Sequence, residues 1–473
     1  MIMYGTFYRK VLLPLFDGPL KGRRTVPYWR ALEESQWWSR AQLEEFQLIA
    51  LRNLLRHASD TCPYFGETWQ TAGLNPSVVR SLEDFRQFPT ITREAIRAHR
   101  LRMRSRLPIK LVTKGTGGSS GEPLQFDLCL DSNDRRTAQM YRGYGWAGGA
   151  PGSKQLLIWG SHVGPVPAWK RWKSDLHHRF DRQRVLSCFE FTPQKMDAHW
   201  ESLRRYQPEV IVAYTNPLYE FARYLQSRNI QPKVGRSIIV GAEKLHDFQR
   251  SLIEDVFQVP IFETYGSREV MLIGAECEYH SGLHLSMENL LVEILDDDGQ
   301  PTPNGQVGNV VITDLFNYGM PFIRYVNGDQ AIASSESCPC GRGLALLKSV
   351  TGRRLDVLDT PDGRQIPGEF FPHLIKDFPA VRRFQVMQES PALITLKLVA
   401  EGGFTLLDRQ QLLCNIRQVA GSEVEIDVQY VTDIPLTRAG KHNVVVKRPA
   451  SENGEHQRHV SSTPELAETG VSA

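Results

Sequence analysis

The chain has 473 residues, 41% of them hydrophobic, and is therefore long enough for two or three domains with sizeable cores. Its 56 basic and 53 acidic residues give a formal net charge of +3, and this near balance argues against a nucleic-acid-binding protein. No apolar run approaches the roughly 20 residues of a membrane span. Seven cysteines, an odd number, favour a reducing compartment, so we expect a cytoplasmic protein.

The N-terminal part of the chain is predicted to be largely helical. An apolar patch at 11–16 follows two basic residues and contains a proline, so we interpret it as neither a signal peptide nor an anchor. A peripheral membrane contact remains the alternative. Apolar residues at helical spacing predict an amphipathic helix over 41–57. Further helices are predicted at 83–100, with a break at Pro89, and at 132–146.

From about residue 155 onward, short apolar runs alternate with helical segments. The runs predict buried strands at 155–159, 210–214, 237–240 and 260–263. Helices are predicted between them at 194–206, 217–228 and 246–257. This alternation is typical of a largely parallel sheet. More β structure is predicted at 282–295 and 308–315, on either side of a turn.

A segment rich in glycine and charge at 352–368 marks a domain boundary. Beyond it, strands are predicted at 381–388, 393–399 and 424–431, with a helix at 405–420. The polar tail 449–473 lacks aromatic residues and is predicted to be disordered. We therefore predict an α/β protein. Its large N-terminal domain, 1–353, would combine mixed, largely parallel sheets with a β-rich part, and its small C-terminal domain, 354–448, would be α+β.

The loop at 113–126, TKGTGGSSGEPLQF, has the composition of an anion-binding site. Glycines let backbone N–H groups converge on an oxyanion, and small hydroxyl side chains add donors without bulk. The loop lacks the Gly-Lys-Ser/Thr ending of a Walker P-loop, and it has Glu122 where a phosphate-binding lysine might be expected. Taken alone, the loop is equally well explained as a flexible surface turn.

Four further polar motifs have residue types suited to nucleotide chemistry. They are ETYGSRE at 263–269, YVNGD at 325–329, GRR at 352–354 and PLTRAGK at 435–441. Polar residues at the carboxyl ends of strands are where α/β sheets place ligands, and a carboxylate there can hold Mg²⁺. A lysine on a glycine-containing loop can bring a point charge to a reacting phosphate. Each motif alone is also explained as an exposed turn.

In this order, the motifs resemble those of the adenylate-forming superfamily of acyl-CoA synthetases over roughly residues 50–448. The likeness is greatest to the phenylacetate–CoA ligase family, and within it to the branch found with capsule and polysaccharide genes. The sequences that carry this likeness are YGSRE, GLHLSMENLLVEILDDDG, MPFIRYVNGDQ and CPCGRG. Glu122 replaces the lysine of phenylacetate ligases, and the same departure occurs in the polysaccharide-associated branch.

The resemblance implies a role in ATP binding for each motif. The β- and γ-phosphates would be held by Thr116, Gly117, Gly118, Ser119, Ser120 and Gly121. The adenine pocket would be formed by Gly241, Ala242 and Glu243, with Tyr265 and Gly266 beside the base. The ribose hydroxyls would be bound by Asp329 with help from Arg353.

The resemblance also implies an ATP-dependent carboxylate adenylase, with Lys441 and Glu269 as catalytic residues. Glu269 would bind Mg²⁺, and Lys441 would bridge the α-phosphate and the carboxylate of a small-molecule acid. The acyl group of the acyl-AMP would pass to coenzyme A after the small domain rotates about a hinge at 354–356. An amine, sugar or hydroxyl acceptor and an inactive nucleotide-binding scaffold are the alternatives. We expect a monomer or a homodimer.

Cysteine and histidine residues form a second candidate site, and relatives in the family carry a similar set. The predicted ligands of a closed tetrahedral Zn²⁺ site are Cys277, His284, Cys338 and Cys340, with His280 as the alternate ligand. Four protein ligands leave no open position for catalysis, so the zinc would be structural. Reduced cysteines without a metal are the alternative.

A basic and aromatic segment at 169–173, WKRWK, does not belong to any of the motifs described above. We interpret it as a solvated insertion that packs its tryptophans on the core. A lid over an anionic acceptor and a lipid-facing surface are the alternatives.

Overall fold

The computed structural model describes most of the chain. The described residues are 2–116, 124–159, 168–187, 193–353, 358–362, 365–366, 370–375, 377–378, 380–400, 403–435 and 444–447. Within these ranges, no helix is both long and apolar enough to cross a membrane. The predicted hinge at 354–356 and the tail at 449–473 lie outside the described residues.

Helices dominate the first hundred residues and alternate with strands afterwards. They are α1 Ile2–Phe7, α2 Leu13–Leu15, α3 Thr25–Ser35, α4 Arg40–Thr61, α5 Pro63–Thr71, α6 Leu82–Phe85, α7 Arg93–Met103, α8 Leu130–Trp146, α9 Ala168–Phe180, α10 Pro193–Tyr206, α11 Thr215–Ser227, α12 Asp247–Phe257, α13 Phe370–Ile375 and α14 Leu406–Ala420. Two π-helical stretches, Tyr8–Leu12 and Phe16–Leu20, continue α1 and α2, and Pro76–Val78 forms a 3₁₀ turn.

The strands fall into one large sheet and three small ones. They are β1 Leu111–Gly115, β2 Gln125–Cys129, β3 Gln155–Trp159, β4 Gln183–Ser187, β5 Val210–Tyr214, β6 Ser237–Gly241, β7 Ile261–Ser267, β8 Met271–Glu276, β9 Leu283–Leu285, β10 Leu290–Leu295, β11 Val307–Asp314, β12 Tyr325–Ser334, β13 Leu346–Arg353, β14 Leu358–Asp359, β15 Gln365–Ile366, β16 Val381–Ser390, β17 Leu393–Ala400, β18 Glu425–Tyr430 and β19 Val445–Lys447.

The predicted amphipathic helix is the central part of α4. A capping box starts it, because the Ser39 hydroxyl accepts from the Gln42 amide while the Gln42 side chain accepts from the Ser39 amide. Its buried face follows the helical repeat through Leu43, Gln47, Ala50, Leu51, Leu54, Leu55 and Ala58. Much of this face packs with α5 and with the aromatic residues near β12 in one core.

The large sheet combines parallel and antiparallel strands in the order β10-β11-β12-β13-β9-β8-β7-β6-β5-β3-β4. From β4 to β7 the neighbours are parallel, and from β7 to β10 they are antiparallel. Every residue of β5 and β6 is buried, as expected for central strands covered on both faces. The carboxyl ends of β5, β6 and β7 therefore meet along one edge.

The C-terminal region has a sheet of its own, in the order β18-β17-β16-β19, covered by α13 and α14. Its buried apolar cluster draws only on residues from Leu358 to Val445. An ion pair joins this region to the large sheet's helices, because Arg383 of β16 donates to both oxygens of Glu220 in α11, at 2.8 and 3.2 Å.

The predicted fold class is confirmed. A mixed α/β sheet precedes a small sheet with helices, in the order that the sequence pattern indicates. The predicted burial of the tryptophans in 169–173 is wrong, because Trp169 and Trp172 are 63% and 68% exposed. The strand pattern before 155 was also incomplete, since the hairpin of β1 and β2 was not predicted.

Candidate functional site

The Gly/Ser loop is held at its base by a short antiparallel hairpin. Gly115 of β1 pairs with Gln125 of β2. One step further, the amide of Thr116 donates to the Leu124 carbonyl at 3.0 Å, and the Leu124 amide donates to the Thr116 hydroxyl at 2.9 Å. Thr116 therefore closes the loop. The other predicted phosphate-binding residues, 117–121, lie outside the described residues.

Cationic side chains surround the base of this loop. Arg268 donates from Nε to the Gly115 carbonyl at 3.4 Å, and Lys114 donates to Asn133 at 2.7 Å. Burial lowers the pKa of Lys114 to about 8, and the nearby charges of Arg136 and Arg268 add to this effect. The cluster has the charge that a phosphate chain requires.

Arg136, on the inner face of α8, is the most unusual member of this cluster. Its side chain donates from Nη2 to the Arg268 carbonyl at 2.6 Å, while Nε and Nη1 are buried without a hydrogen-bond partner. Burial lowers the pKa of Arg136 to about 10, although the carboxylates of Asp314 and Glu269 act in the opposite direction. A buried guanidinium with unused donors is costly unless an anion completes it.

The α8 helix that carries Arg136 is fixed to the large sheet by two buried contacts. Gln139 donates to the Leu272 carbonyl of β8, and Arg142 pairs with Glu288. The Ser35 hydroxyl donates to the same Glu288 oxygen at 2.7 Å. Because these groups are buried, they hold the helix in one position near the base of the loop.

Glu269 lies in the turn between β7 and β8 and is only 4% exposed. Its Oε1 accepts from the Tyr325 hydroxyl at 3.0 Å and from Arg93 Nη2 at 3.3 Å. Burial, followed by the charge of Glu269, raises the pKa of Tyr325, so this phenol stays a proton donor. Neither Arg93 nor Tyr325 was predicted as a partner, since they are distant from Glu269 in sequence.

Tyr265 and Asp329 are in direct contact. The Tyr265 hydroxyl donates to Asp329 Oδ2 at 2.9 Å. The Asn327 amide group donates to both, at 2.8 Å to the Tyr265 oxygen and 2.9 Å to the Asp329 carboxylate. In β13, Arg353 is the register partner of Asp329, which places the two predicted ribose-binding residues opposite each other along the backbone.

The predicted adenine segment follows β6 at the carboxyl edge of the parallel strands. A side chain at Gly241 would come within 2.5 Å of the Thr264 hydroxyl, so this position requires glycine. Ala242 has a φ of +69°, which turns the chain sharply. Glu243 then points back, and its Oε2 accepts from the Asn216 amide at 2.9 Å.

Gly266 is constrained in a similar way. Any Cβ at this position would collide with the Met271 carbonyl, across the irregular register between β7 and β8. The glycine thereby allows the tight turn that contains Glu269. Lys441 lies outside the described residues, as does the side chain of Arg353.

The predicted cysteine and histidine ligands form one compact cluster, the Cys/His cluster, of Cys277, His284, Cys338 and Cys340. Their candidate ligand atoms all lie within 4.8 Å of one another. The Sγ atoms of Cys277 and Cys338 are 3.6 Å apart, and Cys340 Sγ is 3.4 Å from His284 Nε2. The buried Nδ1 of His284 has no hydrogen-bond partner. This donor set fits a tetrahedral Zn²⁺ ion.

The alternate ligand His280 lies apart from this group of four. Its Nδ1 is 3.1 Å from Glu276 Oε2, and its ring packs on Phe262. The geometry therefore favours His284 as the histidine of the cluster.

Comparison with known proteins places these features in context. Residues 358–448 match the CapK C-terminal domain family. A phenylacetate–coenzyme A ligase from Thermus thermophilus is 24% identical over 67% of this chain and 72% of its own length. Protein CapK from Staphylococcus aureus is 24% identical over 67% of this chain and 68% of its own. The chain is therefore similar to phenylacetate–CoA ligases and to CapK.

A solved structure of 2-hydroxyisobutyryl-CoA ligase in the postadenylation state has the same fold. It aligns over 87% of this chain and 90% of its own with a TM-score of 0.69 at 18% identity. The resemblance to the phenylacetate–CoA ligase-like family, predicted from the motifs, is confirmed.

A polar cavity of about 600 Å³ lies next to the predicted adenine segment. Its lining includes Lys244, Arg250, Glu263 and Glu276. Arg250 Nη2 donates to Glu276 at 2.7 Å. Burial, followed by the charge of Glu276, raises the pKa of Glu263 to about 7, although Arg250 and Lys244 oppose the shift.

The stability of Glu263→Gln relative to that of the wild-type protein should be greater in alkaline than in acidic solution. The folded pKa of about 7 lies above the ordinary value of 4.5, so the wild-type protein loses stability as pH rises through this interval. We expect the difference in unfolding free energy between variant and wild type to change by about 1–3 kcal/mol between pH 5 and 8. Urea unfolding at both pH values measures it.

The matched control is Asp255→Asn, because Asp255 is exposed on the neighbouring α12. Its difference from wild type should not change over the same pH range. A pH-independent difference for Glu263→Gln would contradict the raised pKa.

Proposed function

We propose that the chain is an AMP-forming acid–CoA ligase, which activates a small carboxylic acid with ATP and transfers the acyl group to coenzyme A. The carrying observation is the hydrogen-bonded pair of Tyr265 and Asp329, next to the buried Glu269 and the cationic base of the Gly/Ser loop. Both the named relatives and the fold support this activity.

Each residue has a role that follows from its chemistry. The loop and its cations would bind the β- and γ-phosphates, and Asp329 would accept from the ribose hydroxyls. Mg²⁺ typically takes one or two carboxylates together with phosphate oxygens. The single buried carboxylate of Glu269 fits that requirement, and Mg²⁺ bound there would offset phosphate charge.

The two chemical steps need different positions of the small domain. We propose that the large domain spans 1–353 and the small domain 354–448, with the hinge at 354–356. Lys441 would approach the α-phosphate in the first step. Rotation that admits the thiol would then require the ion pair of Arg383 and Glu220 to separate, since it joins the two parts in the described arrangement.

Acid-dependent ATP–pyrophosphate exchange over a panel of aryl, fatty and hydroxy acids tests the proposal. We expect exchange with at least one acid, and a thioester after coenzyme A is added. Exchange without a thioester would point to an amine, sugar or hydroxyl acceptor. The absence of exchange with every acid would contradict the proposal and favour either the nucleotide-binding scaffold or an enzyme that transfers AMP itself to a hydroxyl.

We also propose a place in polysaccharide or capsule biosynthesis. Its support is the similarity of residues 358–448 to the CapK C-terminal domain, together with the similarity of the longer chain to CapK. Transfer of the acyl group from the product thioester to a polysaccharide would support this placement.

The Cys/His cluster is proposed to bind one structural Zn²⁺. Cys338→Ser should reduce bound zinc from about one equivalent to under about a tenth and lower the midpoint of thermal unfolding by at least about 5 °C. The reason is that one thiolate of four is lost from a buried site. Elemental analysis and thermal unfolding of protein purified without chelator measure both effects.

Cys414→Ser is the control, because Cys414 is an exposed free cysteine on α14. It should leave zinc content and unfolding unchanged. Wild-type protein with far less than one equivalent of zinc would refute the site.

A further inference from the structure

Two segments that are far apart in sequence meet on the surface of the protein. The helical segment 2–20, which comprises α1, α2 and the π-helical stretches, lies against α9. The Tyr4 hydroxyl donates to the Phe180 carbonyl at 2.9 Å, and the Phe16 ring is 6.2 Å from the rings of both His177 and Phe180. Tyr8 also hydrogen-bonds Asp181 directly after α9. We call this pair the paired amphipathic surface.

Both segments expose an apolar stripe with the same spacing. In each, four large apolar residues follow one another at steps of three, four and four, which places them along one face of a helix. The stripes are Tyr4, Phe7, Val11 and Leu15 in one segment and Trp169, Trp172, Leu176 and Phe180 in the other. Their exposed fractions lie between 36% and 68%.

The inner face of the first segment already has its partners. Tyr8 and Leu13 are 2% and 3% exposed and pack with Val26 and the partly buried Trp29. The segment is therefore attached to the protein through these residues, while its apolar stripe is exposed to solvent. Neighbouring exposed apolar side chains of this kind mark a place of interaction.

The charges of the two segments are strongly biased. Residues 2–24 contain five lysine and arginine residues and one acidic residue, Asp17, which is buried. The α9 helix adds four lysine and arginine residues, two histidines and one acidic residue. A surface with aromatic and aliphatic stripes among many cations is complementary to anionic lipid headgroups above an acyl layer.

We propose that the paired amphipathic surface docks the protein onto an anionic lipid bilayer, in the plane of the interface. Tryptophan and tyrosine are the residues that favour this interface, and long cations reach the headgroups beside them. A protein partner fits less well, since lysine is depleted in the centres of protein–protein interfaces. The proposal is independent of the proposed enzymatic activity.

The test is co-sedimentation of the full chain with vesicles of phosphatidylcholine alone or with 30 mol% phosphatidylglycerol, a composition on the order of natural anionic membranes. We expect binding to the anionic vesicles to be at least about tenfold stronger. Salt at about 0.5 M should weaken this binding, because it shortens the Debye length and screens the attraction between the cations and the headgroups. Phe7→Ser with Trp172→Ser should reduce the partition coefficient at least about tenfold. Because both side chains are exposed, the unfolding midpoint and pyrophosphate exchange should not change.

Leu406→Ser with Leu407→Ser is the matched control, because these leucines are 80% and 74% exposed on α14. It should bind vesicles as the wild type does. Equal binding of wild type and the Phe7/Trp172 variant would overturn the proposal. The proposal would also be overturned if the wild type did not bind anionic vesicles but formed a dimer, and the Phe7/Trp172 variant did not form that dimer. This result would assign the surface to a second copy of the chain.

Discussion

Arg136→Met should reduce ATP–pyrophosphate exchange by about 10²–10³-fold without lowering the stability of the protein. The wild-type guanidinium is buried with Nε and Nη1 unpartnered, near the base of the loop proposed to hold the phosphates. Methionine fills much of the same volume and removes a charge that is unfavourable in the absence of a ligand. The expected result is a variant that unfolds at the same or a higher denaturant concentration but holds ATP poorly.

Arg135→Met is the control on the same helix. The Arg135 side chain pairs with Asp131 at 2.8 Å and lies over the rings of Tyr28 and Phe316, so its role is accounted for by the protein itself. Exchange should stay within about twofold of wild type, as for most surface changes. If Arg136→Met instead destabilised the protein and retained normal exchange, Arg136 would be a structural residue.

Lys441→Ala should reduce exchange by about 10³-fold or more, because two anions meet in the first step and the lysine is proposed to lie between them. The same variant should still transfer the acyl group when chemically prepared acyl-AMP and coenzyme A are supplied. This separation of the two steps follows from placing Lys441 at the α-phosphate in only one position of the small domain.

Arg438→Ala, three residues earlier in the same sequence motif, is the matched control and should retain most of the exchange activity. Equal loss of both steps in Lys441→Ala would indicate a misfolded C-terminal region. Normal exchange in that variant would remove Lys441 from the mechanism.

The strands with continuous apolar sequence were predictable. The bounds predicted for β3 and β5, 155–159 and 210–214, agree with the structure, because both strands contain a run of at least four consecutive apolar residues, as is typical of strands covered on both faces of a sheet. The strand β4 was missed, since its sequence QRVLS is polar at one end and lies at the sheet edge. Edge strands carry weaker hydrophobic patterns.

Some residues of the candidate sites could likewise be predicted from the sequence, and others could not. The structure brings together Cys277, His284, Cys338 and Cys340, which could be grouped from the sequence because soft ligands are rare enough to stand out. Arg136 was not singled out, since an arginine on an amphipathic helix is normally solvated. Only the packing of α8 on β8 shows that it is buried. Its position in the helix after the loop was the available signal.

The strand β13 links the two candidate sites mechanically. At one end, Leu346 pairs with His284 beside the cysteines, and at the other, Arg353 pairs with Asp329. A slip of one residue would turn every side chain of β13 to the opposite face of the sheet. With the proposed Zn²⁺ bound, the Cys/His cluster would hold the register of β13. Loss of the proposed Zn²⁺ would therefore be expected to weaken binding of the proposed nucleotide before the chain unfolds.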